Sequence, residues 1–500
     1  MSPEGAGGEP GNDPADEHPD VAADDAGEEV AAAPPERGPA DAAVDDDAGE
    51  ERLRPPSPAP SRRIPGAARL IGLAGLDRPG RGPFDPRRWR SPVRGPWLTS
   101  VFGSVLLVGI PLEFITGLLS YAAYNPRLAG NDPTHERGLL GFWLFNWFTG
   151  PTWLFRLTQG IHVALGLALV PIVLAKLWSV IPNLFAWPPL RSMAQMLERL
   201  SLLLLVGGAV FELTTGILNI NYDYGFQFSF YKGHYLGAWA FMAGFTIHAT
   251  MRIGRMRAAL RSRRLRDELR TPLAATVAEA PSADGLVPVS PAAPTISRRG
   301  VLALVGGTSL SVVVLTVGQT LGGPFRRLAL LAPRGQSYGS GPNDFQVNRT
   351  AVAAGVSRRA LDEGWRLVLH GPDGRPVASL SRSELLGMTQ TTEDLPIACV
   401  EGWSTVQRWS GVRLPDLARL AGVARPAGAR VESLEPHGAY SRVELSGDQV
   451  RASRSLLALR VNGVDLSLDH GYPARLILPA APGVHCTKWV SAISFAAEAR

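Results

Sequence analysis

The stretch LPIACVEGWSTVQRW sets Cys399, one of two cysteines in 500 residues, between a proline-marked strand end and an aromatic-rich turn. A thiolate is a soft ligand for a transition metal, but zinc and iron–sulfur sites draw on several cysteines at short spacing. A lone cysteine therefore needs the rest of a metal's shell from elsewhere. The other one, Cys486, could pair with it in a disulfide or stay apart, since sequence does not give their separation. Downstream, HGYPARLILPAAPGVHCTKW gathers His470, Arg475, Thr487 and Lys488 near a strand and a Gly-containing loop. These are the side chains of an anion cradle: Arg forks onto phosphate and Lys adds a compact charge. Lysine is rare in this chain, three among 50 basic side chains, so Lys488 marks a local need. The plainer reading of the same residues is surface charge flanking a strand.

A second set of chemically able residues lies in apolar surroundings. His162, His234 and His248 fall in long hydrophobic runs, where ionisable groups are costly to place. Neutral imidazole is an axial ligand for haem iron in helical bundles, and two on facing helices clamp one haem. His162 and His234 match in depth, whereas His248 lies fourteen residues beyond His234, about 21 Å along a helix. Lys176 occupies the corresponding depth of the second run, so one haem is the economical count, with His248 the ligand candidate for a second. His135, in NDPTHERG, reads as a loop residue. The plainer reading is that the histidines hydrogen-bond within the bundle.

The elements that must position these residues follow from composition. Residues 1–95 form an acidic, Ala/Pro/Gly-rich tail that turns Arg-rich, too poor in apolar side chains to order itself. Residues 96–256 hold four apolar runs, near 97–121, 153–181, 199–220 and 228–253, each long enough to cross a hydrocarbon core of roughly 30 Å. A linker over 257–297 precedes a fifth span at 298–323, and 324–339 leads into a soluble α+β domain at 340–500. That last region switches to short β runs separated by turn dipeptides, with a capping box at Ser381 and Glu384 and a helix LPDLARLAG stopped by Gly422. Basic residues between the second and third runs and from Arg252 to Arg270 place the N-terminus and the 257–297 linker in the cytoplasm and the final domain outside. The net charge of +5 does not point to nucleic acid, because the basic residues sit beside apolar runs and not among stacking aromatics. A lipid bilayer explains them.

Two resemblances sharpen this picture. TQGIHVALGL followed by FYKGHYLGAWAFMAGFTIHAT, covering about 97–255, is similar to the membrane cytochrome b subunits of respiratory formate dehydrogenases and hydrogenases. That resemblance implies His162 and His234 as ligands of one b-type haem. The family's inner haem uses a first-span histidine, which this chain lacks. IACVEGWS, LLALRVNGVDLSLDHGYPARLILP and GVHCTKWVSAISF resemble the sulfite oxidase family of molybdenum enzymes, most closely the branch of the periplasmic methionine sulfoxide reductase, over about 340–499. It implies Cys399 as molybdenum ligand beside the two dithiolene sulfurs of molybdopterin. His470 and Arg475 would hold the pterin, Thr487 and Lys488 its phosphate, and Asn343 and Phe345 would touch the pterin early in the domain. A dimer of that family's type is not expected, Cys486 reads as a packing residue, and Arg408 is a candidate substitute for a substrate-binding arginine. SRRGVLALVG at 297–306 resembles a twin-arginine signal with Val301 and Ala303 in place of Phe and Lys.

The expectation is a multi-domain protein: an all-α transmembrane four-helix haem bundle, a fifth transmembrane helix, and a molybdopterin-binding domain. It would exchange an oxo group with a small sulfur- or nitrogen-oxide substrate outside the membrane and pass electrons through haem, with a membrane quinone or quinol as partner. A different class of answer keeps the same fold: a haem-free anchor bearing a binding module in which Cys399 is a small buried apolar residue.

Overall fold

Long apolar runs in this chain form helices because the backbone then satisfies its own polar groups. The computed structural model describes residues 85, 88–131, 143–184, 193–220, 229–281, 285–333, 338–357, 364–436 and 441–498. The acidic tail as far as residue 84 and His135 lie outside them. Helix α1 (Pro96–Tyr124) opens on a proline in its first turn, where the missing N–H costs nothing, and closes with Asn125 in the left-handed region. Helices α2 (Leu154–Leu184), α3 (Met193–Ile220) and α4 (Phe230–Ser262) follow, then a short α5 (Leu265–Arg270) and α6 (Arg298–Leu321). α1 packs on α2, α3 on α4, and α1 on α4, while α6 lies along α2.

Five spans were expected, and among the described residues four helices are long and apolar enough to cross a membrane: α1, α2, Arg199–Ile220 of α3, and α6. The exception is α4, which carries Lys232, His234, His248 and then Arg252, Arg255, Arg257 and Arg261 on one continuous helix. Its polar content lowers its hydropathy, and its packing against α1 and α3 accompanies it.

The 257–297 linker is folded over the start of α1. Trp97 Nε1 donates to Arg263 O at 3.0 Å, and its backbone N–H donates to Glu279 Oε2 at 3.2 Å. Arg298, 1% exposed, is held by Glu268 and donates to Pro92 O at 3.2 Å and Val277 O at 2.9 Å. One of the twin arginines is thus consumed in tying the linker down, while Arg299 is exposed.

The C-terminal region alternates short strands with turns and forms two five-stranded sheets around one core. The first has the order β2 (Pro376–Ser381), β1 (Arg366–His370), β10 (Val490–Ala497), β5 (Pro426–Ser433), β6 (Arg442–Ser446), with β1 and β10 parallel. In the second, β3 (Thr391–Ala398) pairs with β4 (Ser404–Arg413), β4 with β7 (Leu456–Val461), and β7 with both β8 (Val464–Asp465) and β9 (Arg475–Ile477). The expected capping box is present at α7 (Arg382–Gly387), with Ser381 and Glu384 satisfying each other's backbone donors. Helix α8 (Leu414–Leu420) ends where Gly422 turns with φ +79°, and α9 (Gly447–Arg451) carries a second capping box.

Candidate molybdenum and histidine centres

Cys399 sits at the point where β3 leaves its sheet and turns back into β4. The turn is tight: Gly402 N–H donates to Cys399 O at 3.0 Å, and Cys399 N–H to Trp403 O at 2.9 Å. Gly402 has φ +89°, and a Cβ there would lie 2.9 Å from Val163 of α2, so glycine meets both the conformation and the close approach. The Cys399 thiol donates to Glu401 Oε1 at 3.1 Å, and Glu401 Oε2 accepts from Trp403 Nε1 at 2.9 Å. Burial raises the Glu401 carboxyl to about 8, which keeps it largely protonated at neutral pH. No disulfide joins the two cysteines.

The cradle residues come together around β9. A bridge between Ala398 and Pro482 sets the 480s loop against the Cys399 turn. Arg475, 2% exposed, donates to His470 O and Cys486 O, each at 3.1 Å. Burial lowers its guanidinium to about 10, still charged at neutral pH. Lys488 Nζ is held by Arg349 O and Asp469 O, both at 2.7 Å. Burial first, and then the Arg475 charge, lower its ammonium well below its usual value. Gly471, at φ +106°, lets the chain pass so close to Lys488 that a Cβ would lie 3.2 Å from its Cα.

His470 defines the polarity of the cradle. Its ring stacks on Phe345 with centroids 3.6 Å apart, and Nε2 donates to Asn343 O at 2.9 Å. Burial, then the neighbouring Arg475 and Lys488 charges, depress the imidazole to about 3, so the ring is neutral. Nδ1 is then a bare acceptor, and it has no partner in the protein. Arg475 Nε, Thr487 Oγ1 and both amide atoms of Gln346 are also buried without partners. Buried polar atoms are nearly always paired, so this concentration fits a polar ligand rich in donors and acceptors, as a pterin with a phosphate is. Among the described residues no three His, Cys, Asp or Glu side chains converge on a metal position. A metal at Cys399 would therefore bring most of its own shell, which the two dithiolene sulfurs supply.

Asn343, Arg408 and Cys486 each have a defined setting. Asn343 spends its amide inside the protein, donating to Asp465 O at 3.0 Å and accepting from Ser467 N–H at 2.9 Å, and so positions His470. Arg408 is exposed on β4 and paired with Asp394 at 3.2 Å. Cys486 is buried in the main core cluster, where burial raises its thiol. Sequence reasoning missed Glu401, Gln346 and His485. The last is 3% exposed with both ring nitrogens unpartnered and Tyr124 of α1 edge-on at 5.7 Å. IACVEGW carried Glu401 in plain view two residues from Cys399, and only the turn shows it folding back.

The second centre lies between the helices. His162 of α2 and His234 of α4 face each other with ring centroids 6.4 Å apart and planes at 90°. They line a cavity of about 520 Å³, within the usual range of cofactor sites, together with Tyr121, Tyr235, Trp239 and Val400. His248 is not brought to it. At that end of the bundle Lys176 Nζ donates to Thr99 O at 2.7 Å, and among the described residues no second histidine faces His248.

The two centres abut. Val400, next to Cys399, forms part of the cavity wall, and its carbonyl accepts from Gln159 Nε2 of α2 at 2.6 Å. Thr320 Oγ1 at the end of α6 donates to Gly402 O at 2.6 Å, and Ser404 Oγ donates back to Thr320 O at 2.7 Å. Trp147 Nε1 donates to Ala480 O at 2.6 Å, and Asn131 exchanges two hydrogen bonds with the Glu444 backbone.

Residues 354–500 match the family model described as "Oxidoreductase molybdopterin binding domain". This part of the chain is a molybdenum oxidoreductase domain of the sulfite oxidase family. It is 33% identical over 135 residues to the Bacillus subtilis (strain 168) oxidoreductase YuiH, covering 27% of this chain and 66% of that one. To human mitochondrial sulfite oxidase it is 32% identical over 118 residues, 22% of each chain. To the NADH nitrate reductase of Ulva prolifera it is 34% identical over 101 residues, 18% of this chain and 12% of that one. The match thus spans just under two thirds of YuiH and about a fifth or less of the other two.

Proposed function

We propose that the protein is a membrane-anchored molybdenum oxidoreductase that exchanges an oxo group with a small sulfur- or nitrogen-oxide substrate and passes electrons through a b-type haem held by His162 and His234. The observation that carries this reading is the shared wall: Val400 follows the metal-ligand candidate Cys399 and lines the histidine cavity.

Bound to Cys399 and a dithiolene, molybdenum supplies two-electron oxo exchange. In the reducing direction the substrate's S–O or N–O bond breaks, two electrons and two protons are taken up, and water leaves; oxidation is the reverse. His470 offers Nδ1 to a pterin N–H, Arg475 supplies positive charge for the phosphate, and Lys488 Nζ and the Thr487 hydroxyl add hydrogen-bonding groups. Glu401, largely protonated and 3.1 Å from the Cys399 sulfur, holds a proton at Oε1 or Oε2 beside the metal position.

Haem supplies one-electron transfer. His162 and His234, with ring centroids 6.4 Å apart, are the residues that would hold it. The Arg-rich end of α4 and the Arg298 end of α6 are assigned to the cytoplasm, and the catalytic domain to the other side. A quinone or quinol is the membrane partner proposed.

The test uses membranes from a host that makes molybdopterin. Purified protein should contain molybdenum, pterin and a low-spin haem spectrum, and dithionite-reduced haem should reoxidise on addition of a sulfoxide or N-oxide. Protein devoid of molybdenum and pterin would overturn the reading.

A further inference from the structure

The two histidines are held by duplicated machinery. α1 contains EFITG at 113–117 and α3 contains ELTTG at 212–216, and each motif meets the histidine of the following helix. At the first site His162 Nδ1 lies 3.1 Å from Thr116 Oγ1, 3.1 Å from Glu113 O and 3.2 Å from Glu113 Oε1. At the second His234 Nδ1 lies 3.0 Å from both Thr215 Oγ1 and Glu212 Oε2. The glycine of each motif leaves room for the ring: a Cβ would meet His162 Cε1 at 3.2 Å from Gly117 and His234 Cε1 at 3.7 Å from Gly216.

The threonines settle where the protons are. Thr116 Oγ1 donates its single hydrogen one turn back, to Leu112 O at 3.0 Å or Glu113 O at 2.9 Å. Thr215 does the same toward Phe211 O at 2.8 Å or Glu212 O at 3.2 Å. With that hydrogen committed, each hydroxyl can only accept from the imidazole, and the Glu113 carbonyl oxygen beside His162 also accepts. Nδ1 must therefore carry the hydrogen in both rings, which leaves Nε2 as the basic nitrogen.

We propose that Glu113–Thr116 and Glu212–Thr215 are two equivalent positioning units that fix His162 and His234 as Nδ1–H tautomers with Nε2 free to bind one shared iron, and whose oxygens, accepting from Nδ1–H, make both ligands more electron-rich. The inference rests on the haem reading for its iron and on hydrogen bonds alone for its tautomers. Outer partners of metal-bound imidazoles raise ligand basicity in this way. A more basic ligand favours the oxidised metal, so replacing either glutamate by the weaker acceptor glutamine raises the reduction potential.

The full-length protein is studied in native-like membranes with Glu113→Gln, Glu212→Gln, the double variant, and Thr116→Val and Thr215→Val. Each Gln variant should retain low-spin haem and shift the reduction equilibrium about tenfold toward the reduced form, about 59 mV for one electron. The two shifts should be similar and should add in the double variant. Unchanged potentials with haem retained, or a shift at only one site, would overturn the inference. A second readout needs no haem: solid-state NMR of protein with 15N-labelled histidine, assigned by His162→Ala and His234→Ala, should show both rings as Nδ1–H tautomers. Each Thr→Val variant should let its own ring populate the other form. Nε2–H rings in the wild type would overturn the inference even if haem is present. A colourless protein with Nδ1–H rings would instead remove the haem reading and leave the positioning units standing.

Discussion

The Cys399 cradle and the His162/His234 cavity solve opposite problems with the same chain. The cradle is built on strand ends and loops, and it leaves polar atoms of His470, Arg475, Thr487 and Gln346 buried and unpartnered. The cavity is built on helices and is walled mainly by apolar and aromatic side chains, while each histidine already has its Nδ1 engaged. The first is specified by what a ligand must satisfy, and the second by the shape and direction of two nitrogens. Polar demand tends to sit in contiguous motifs, whereas a helical pocket is assembled from residues a hundred positions apart.

Single substitutions should separate the two. Cys399→Ser is expected to lower substrate turnover by at least about a thousandfold while the haem spectrum persists, measured by steady-state assay and optical spectroscopy. His162→Ala or His234→Ala should do the reverse, abolishing low-spin haem with molybdenum retained by elemental analysis. Gly402→Ala tests the shared wall. The residue must hold φ +89° with a Cβ 2.9 Å from Val163, so stability should fall by about 1–3 kcal/mol and haem reoxidation should slow with both centres present.

A smaller effect tests the burial of His485. Burial depresses this imidazole to about 4, so it is neutral when folded and gains a proton on unfolding below its ordinary value near 6.5. Its contribution is present above pH 6.5 and lost as pH falls toward 4, roughly 3 kcal/mol in full. His485→Phe should flatten the unfolding-temperature profile of the cofactor-free protein over that interval.

The cradle was legible because its residues lie in three short stretches whose order survives in the fold, and the structure brings His470, Arg475, Thr487 and Lys488 around β9 as expected. Glu401 was not, because its role depends on a turn that folds its carboxyl onto the sulfur two residues back. The pairing of His162 with His234 followed from depth alone, since helical rise converts residue number into distance. The hydropathy of α4 did not follow so simply, for a helix can keep polar residues where neighbouring helices cover them. EFITG and ELTTG were readable as a repeat, but nothing in either segment says that it meets a histidine on the next helix.

The clasp between Thr320 and residues 402–404 has a mechanical meaning. The last helix is joined to the domain by the polypeptide that leaves at Leu321 and, separately, by side chains that grip it some eighty positions later. Proteolytic scission between Gly322 and Pro333 should therefore leave the domain sedimenting with the bilayer, its covalent leash cut and its berth intact.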